Sequence, residues 1–161
     1  MKRNLFRLLA GALFALAWTL TFADQWLPVP TNEGHNFSSG TLLADGRILV
    51  AGGAYSAITA SAEIFNPATD SWASVAPMNI ARTNHASVLL PSGDVMVLGG
   101  WTGNFEPTAS VEVYSPSNDT WTQIAPLSGP RIRISANVLG DGSIFVAGGT
   151  PTSDGPATGV T

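Results

Sequence analysis

Short apolar runs alternate with polar, glycine-rich punctuation along the chain. Three runs end alike: "RILVAGG" (47–53), "DVMVLGG" (94–100) and "SIFVAGG" (143–149). Runs this short are strand-sized, and their Ile, Val and Phe content favours strands over helices. A turn precedes each: "ADGR", "PSGD" or "GDGS". Asp-Gly and Ser-Gly accept the positive φ that a hairpin turn requires. Before each turn stands a second apolar stretch, "GTLLA", "ASVLL" or "SANVL". A β-hairpin is therefore predicted three times.

The hairpins recur at a fixed step. Gly52-Gly53, Gly99-Gly100 and Gly148-Gly149 are spaced by 47 and 49 residues. "SAEIFNPATDSW" (61–72) recurs as "SVEVYSPSNDTW" (110–121), and "VAPMNIAR" (75–82) as "IAPLSGPR" (124–131). A period near 48 is that of a propeller blade. Each unit parses into four strands. Strands A and B are the hairpin, and B is apolar on both faces, as a strand covered on both sides should be. In strand C, Ala62 and Ile64 (or Val111 and Val113) face one way and Glu63 (or Glu112) the other. Pro67 and Pro116 end it, since proline cannot donate to a ladder. "ATDSW" and "SNDTW" turn the chain into strand D, with Trp72 and Trp121. Near the axis of a radial array backbones crowd, and glycine allows close approach and a sharp exit from the sheet. A phosphate-cradling loop is the alternative reading of Gly-Gly. It lacks a following helix-forming segment and any Gly-Lys-Ser/Thr pattern.

Composition changes the picture mainly at the N-terminus. Lys2, Arg3 and Arg7 precede a 13-residue apolar stretch from Leu8 to Leu20, then "TFA". This is the grammar of a secretory signal peptide over residues 1–23, cleaved before Asp24. The run is short for a membrane span, which takes about 20 residues; an uncleaved anchor is the alternative. After residue 23 stand four Arg, no Lys and all 11 acidic residues, a net charge of −7. Nucleic acid and anionic lipid are poor partners for such a chain. With no Cys, disulfides contribute nothing to its stability. A secreted or periplasmic location follows, with no stable membrane span once the signal is removed.

These residues resemble the kelch repeat of β-propellers. The family's motif has an apolar run closed by Gly-Gly, an aromatic about a dozen residues on, and a Trp after a short turn. Gly52, Gly53, Phe65 and Trp72 match it, as do Gly99, Gly100, Tyr114 and Trp121. Phe65 stands where Tyr is usual. Ala81 to Ser87 is similar to the family's Pro-Arg-x-x-His region, and Arg131 follows Pro130 in the same register. The resemblance implies an all-β, partial propeller of four-stranded antiparallel blades after an N-terminal signal helix. Its expected parts are an outer strand at Trp26 and linker (24–34), repeat 1 (35–80), repeat 2 (81–129) and an incomplete repeat 3 (130–161). Propellers close with about four to eight blades, so about two and a half blades read as a fragment of a longer product. Its open edges invite oligomerisation.

Galactose oxidases carry a kelch propeller, so that resemblance also implies an enzyme relative. It would bring copper held by His and Tyr, with a Tyr–Cys crosslink that a chain without Cys cannot supply. His35 and His85 do not occupy equivalent repeat positions, and no ligand spacing surrounds them. No cofactor, metal site or catalytic residue is therefore expected within the chain. In a meander blade the B–C and D–A connections share one face, and here they are the long ones. Tyr55, Trp101, Asn104, Phe105 and Glu106 lie in B–C loops; Arg82, Arg131 and Arg133 lie in D–A connections. Arg82 and Arg131 repeat in register and read as framework. Arg133, Trp101 and Phe105 break register and, with Tyr55, Asn104 and Glu106, are the expected binding residues. The function expected is a binding or scaffold module for protein or carbohydrate. The alternative is the propeller part of a copper oxidase whose catalytic residues lie beyond Thr161.

Overall fold

The computed structural model describes Thr31, residues 34–104 and residues 106–151. The expected signal segment, the expected strand at Trp26, Phe105 and residues 152–161 lie outside the described residues. In repeat 1, β1 (Ser39–Leu42), β2 (Ile48–Ala51), β3 (Ala62–Asn66) and β4 (Ser71–Val75) form one antiparallel sheet in chain order. Repeat 2 opens with β5 (Arg82–Thr83), then β6 (Ala86–Leu89), β7 (Val95–Leu98), β8 (Trp101–Thr102), β9 (Val111–Ser115) and β10 (Thr120–Ile124). Its sheet runs β6-β7-β9-β10, and β5 pairs with β8. Repeat 3 contributes the hairpin of β11 (Ile132–Val138) and β12 (Ile144–Thr150). No helix occurs among the described residues. The architecture is a partial β-propeller: among the described residues, two complete blades and two strands of a third.

Burial follows from blade stacking. Ala62, Glu63 and Ile64 are all buried along β3, because the sheet is covered on both faces. Leu49, Ile64, Met78, Val95, Val97 and Tyr114 form a core joining the first two blades. Ala86, Leu98, Val111 and Val146 form the next one outward along the array. The outer strands are stitched by aromatics. Phe65 packs on Trp72 and Tyr114 on Trp121, each pair at 5.0 Å between ring centroids. Trp121 Nε1 donates to the Ala76 carbonyl at 2.7 Å, and Asp119 accepts from both the Ala76 amide and the Tyr114 hydroxyl.

One expectation is corrected. The sequence placed the end of strand B at the glycine pair, but β12 continues through Gly148 and Gly149 to Thr150. The other repeats do the same in broken form. Asn36 bridges Ala54 and Thr83 pairs with Trp101, both in the register of the hairpin before the glycines. The interruption has a local cause. Phe37, Asn84 and Arg133 take left-handed φ values of 59°, 53° and 56°, each facing the second glycine of its repeat. A left-handed residue opposite a left-handed glycine kinks both strands together, so pairing resumes beyond them.

The kink is where blades join. Gly53 N–H donates to the Arg82 carbonyl at 2.8 Å, and Gly100 N–H to the Arg131 carbonyl at 2.7 Å. The same carbonyl crosses the first glycine of the pair: a Cβ on Gly99 would lie 2.6 Å from the Arg131 oxygen. In return, Asn84 N–H donates to the Phe37 carbonyl at 3.0 Å and Arg133 N–H to the Asn84 carbonyl at 2.9 Å. Consecutive blades are thus bonded main chain to main chain, and any side chain on the first glycine would part them.

Arginine and histidine side chains hold the glycine turns from below. Arg82 is fully buried and donates to the Gly99 and Ser110 carbonyls, to Ser110 Oγ and to Glu112 Oε1 at 2.7 Å. Glu112 also accepts from the Asn79 amide and side chain and the Ile80 amide. Arg131 donates to the Gly148 carbonyl at 3.1 Å. In repeat 1, His35 takes the place of arginine: Nδ1 donates to the Gly52 carbonyl at 2.6 Å, and Nε2 lies 3.3 Å from Glu63 Oε2. His85 is buried beside this layer, sharing a 2.7 Å hydrogen bond with Ser39 Oγ. Burial, with the charge of Arg82 nearby, pushes its pKa down to about 3.

Two outcomes follow from this layer. Replacing Arg82 with Met leaves the buried Glu112 carboxylate unpaired, a loss of about 3–5 kcal/mol. Urea unfolding measures it, with the exposed Arg47–Asp45 pair as control: Arg47→Ala leaves the midpoint unchanged. For His85 the unfolded chain binds a proton below its ordinary pKa of 6.5 and the folded chain does not until about pH 3. Stability is therefore complete above 6.5 and falls as pH drops through that window, by about 1 kcal/mol per unit. Thermal melts between pH 7 and 5 show a falling midpoint; His85→Gln flattens the fall.

Candidate functional site

The main-chain joints leave their left-handed residues at one end of the sheets. B–C connections emerge at the same end. In repeat 1 this connection is a tight loop: Ala54 bridges Ile58, and Tyr55 N–H donates to the Ala57 carbonyl at 3.2 Å. Gly34 seats the loop, since a Cβ there would strike the Tyr55 side chain. In repeat 2, Trp101 is held between Thr83 on one side and Pro107 on the other.

Between these loops lies an open cavity of about 390 Å³. Phe37, Thr83, Asn84 and Arg133 come from the D–A side, and residues 54–58 with Trp101 from the B–C side. The volume lies at the lower end of the range for small-molecule sites, about 300–1,000 Å³. Two of its aromatics stand open to solvent: Tyr55 is 83% exposed and Phe37 72%. Trp101 is half-buried and Arg133 exposed. Among the described residues that line it, Arg133 is the one charged residue and no acid accompanies it.

The structure thus brings Tyr55, Trp101 and Arg133 together. Asn104 and Glu106 are exposed and do not line the cavity; Phe105 lies outside the described residues. Arg82 and Arg131 sit beneath it in the buried layer. One reading needs correcting: Arg133 does not break register. It occupies the repeat position of Phe37 and Asn84, and only the side chain differs. Phe37 and Asn84 were missed for that reason. A signal existed, since 37, 84 and 133 keep the 47- and 49-residue steps of the glycine pairs and each follows its framework His or Arg by two.

Neither histidine is placed to ligate a metal. His35 is committed to Gly52, and His85 is sealed in the blade joint against Ser39. Among the described residues no three His, Cys, Asp or Glu side chains converge. The copper donor set that the oxidase resemblance would require does not fit these residues.

Comparisons with known proteins agree with this geometry. The kelch motif matches the chain twice, over residues 37–79 and 82–128. No curated protein matches it. Among solved structures, it is similar to a fungal alcohol oxidase of the AA5 family in complex with copper, with a TM-score of 0.65 and 21% identity. That similarity covers 75% of this chain and 28% of the oxidase, so the chain spans under a third of its neighbour. At such identity the likeness concerns the fold. With more than half of its residues inside two matched motifs, each folded as a four-stranded blade, the chain belongs to the kelch-repeat family.

Proposed function

We propose that the protein is a non-catalytic, exported binding module whose ligand seats in the loop-end cavity. The observation that carries this is the convergence of Phe37, Tyr55, Trp101 and Arg133 from three repeats on one open cavity. Exposed aromatics are costly to leave in water unless something covers them. Small cavity size favours a compact ligand, a sugar or a short peptide, over a folded domain. The basic start and apolar stretch of residues 1–20 support export.

The oxidase-like fold favours a second reading, in which this chain is the propeller portion of a copper oxidase and the ligands come from elsewhere in the whole protein. The two readings separate on one preparation. The exported protein, begun at Asp24 by mass spectrometry, is applied to glycan and peptide arrays. Retention on defined probes, lost in Tyr55→Ala and Trp101→Ala at unchanged melting temperature, supports the module. Hydrogen peroxide release from galactose after copper loading supports the oxidase and overturns it.

A further inference from the structure

We propose that the ligand of this cavity is an acidic saccharide, a sugar ring bearing a single carboxylate. The inference rests on the cavity being the binding site. It starts from the arginines. Arg47 pairs with Asp45, Arg82 with Glu112, and Arg131 donates to the Gly148 carbonyl. Among the described residues the Arg133 guanidinium has no hydrogen-bond or ion-pair partner. Its backbone, by contrast, is fixed by the amide bond to Asn84 and by the kink opposite Gly149. A fixed stem carrying an uncommitted planar fork is the arrangement that takes a carboxylate in two parallel hydrogen bonds.

The rest of the wall selects what carries the carboxylate. Phe37 and Tyr55 offer exposed ring faces, which attract the slightly positive C–H face of a pyranose. Ser56 and Asn84 supply a hydroxyl and an amide suited to sugar hydroxyls. Net charge selects against a polyanion. The chain after residue 23 carries −7, so a ligand with many negative groups is repelled at long range while one carboxylate meets Arg133 locally. An acidic peptide satisfies the arginine but not the ring faces and hydroxyl partners together.

The test uses the full mature chain and paired probes. Isothermal titration compares methyl glucuronide with methyl glucoside and methyl galacturonide with methyl galactoside, which differ at the carboxylate. A short acidic peptide is the third arm. The expected result is binding of a uronide about tenfold tighter than of its neutral partner, the worth of one charge-assisted contact. Arg133→Asn removes that preference, and Asn84 shows that asparagine accepts the same backbone. Tyr55→Ala weakens both members of a pair. Equal affinity for the two members overturns the acidic class and leaves the site standing. Peptide binding that depends on Arg133, without glycoside binding, overturns the saccharide and again leaves the site. Uronide binding that survives both Arg133→Asn and Tyr55→Ala overturns the site as well. Binding of none of the probes overturns the proposal.

Discussion

A carbonyl held over a glycine is the contact on which the rest depends. The Arg131 oxygen approaches Gly99 too closely for any side chain and accepts from Gly100. The Arg82 oxygen stands in the same relation to Gly52 and Gly53. One backbone atom thus sets the spacing, angle and order of two blades. Each arginine side chain reaches on to the next glycine pair, Arg82 donating to the Gly99 carbonyl and Arg131 to the Gly148 carbonyl. Stacking of blade cores, the aromatic stitches at the rim and the cavity at the loop end all presuppose that joint.

Burial of a charge at the joint is costly, which explains the number of partners around it. Arg82 makes four hydrogen bonds, and Glu112 receives three more from Asn79 and Ile80. A half-satisfied ion pair in that place would be worse than an apolar core. Repeat 1 shows the lighter version, with His35 on Gly52 and Glu63 close by. The repeats are equivalent in backbone and graded in electrostatics.

Much of this was legible in the sequence, for physical reasons. Strands A to D and their turns follow from local patterning, and local patterning is what period and composition report; the two-faced burial expected of strand B is instead seen along strand C, at Ala62, Glu63 and Ile64. Tyr55, Trp101 and Arg133 were placed on a common face because meander topology sends their connections to the same end. The Arg82–Glu112 pair was not legible, because it spans 30 residues and depends on where a D–A connection crosses the next strand C. Nor was the continuation past the glycines: Phe37, Asn84 and Arg133 share a φ but no chemistry. Comparing side chains hid an equivalence that the main chain makes plain.

That equivalence separates scaffold from message. The backbone at 37, 84 and 133 is dictated by amide and carbonyl contacts to the neighbouring blade, which are indifferent to what the side chain is. An aromatic, an amide and a guanidinium already occupy the three places. Each place behaves as an interchangeable letter in a fixed frame, constrained mainly by tolerance of a left-handed φ. Chains built on this frame can change the chemistry presented at these places by rewriting a few letters around the axis, with the fold left untouched.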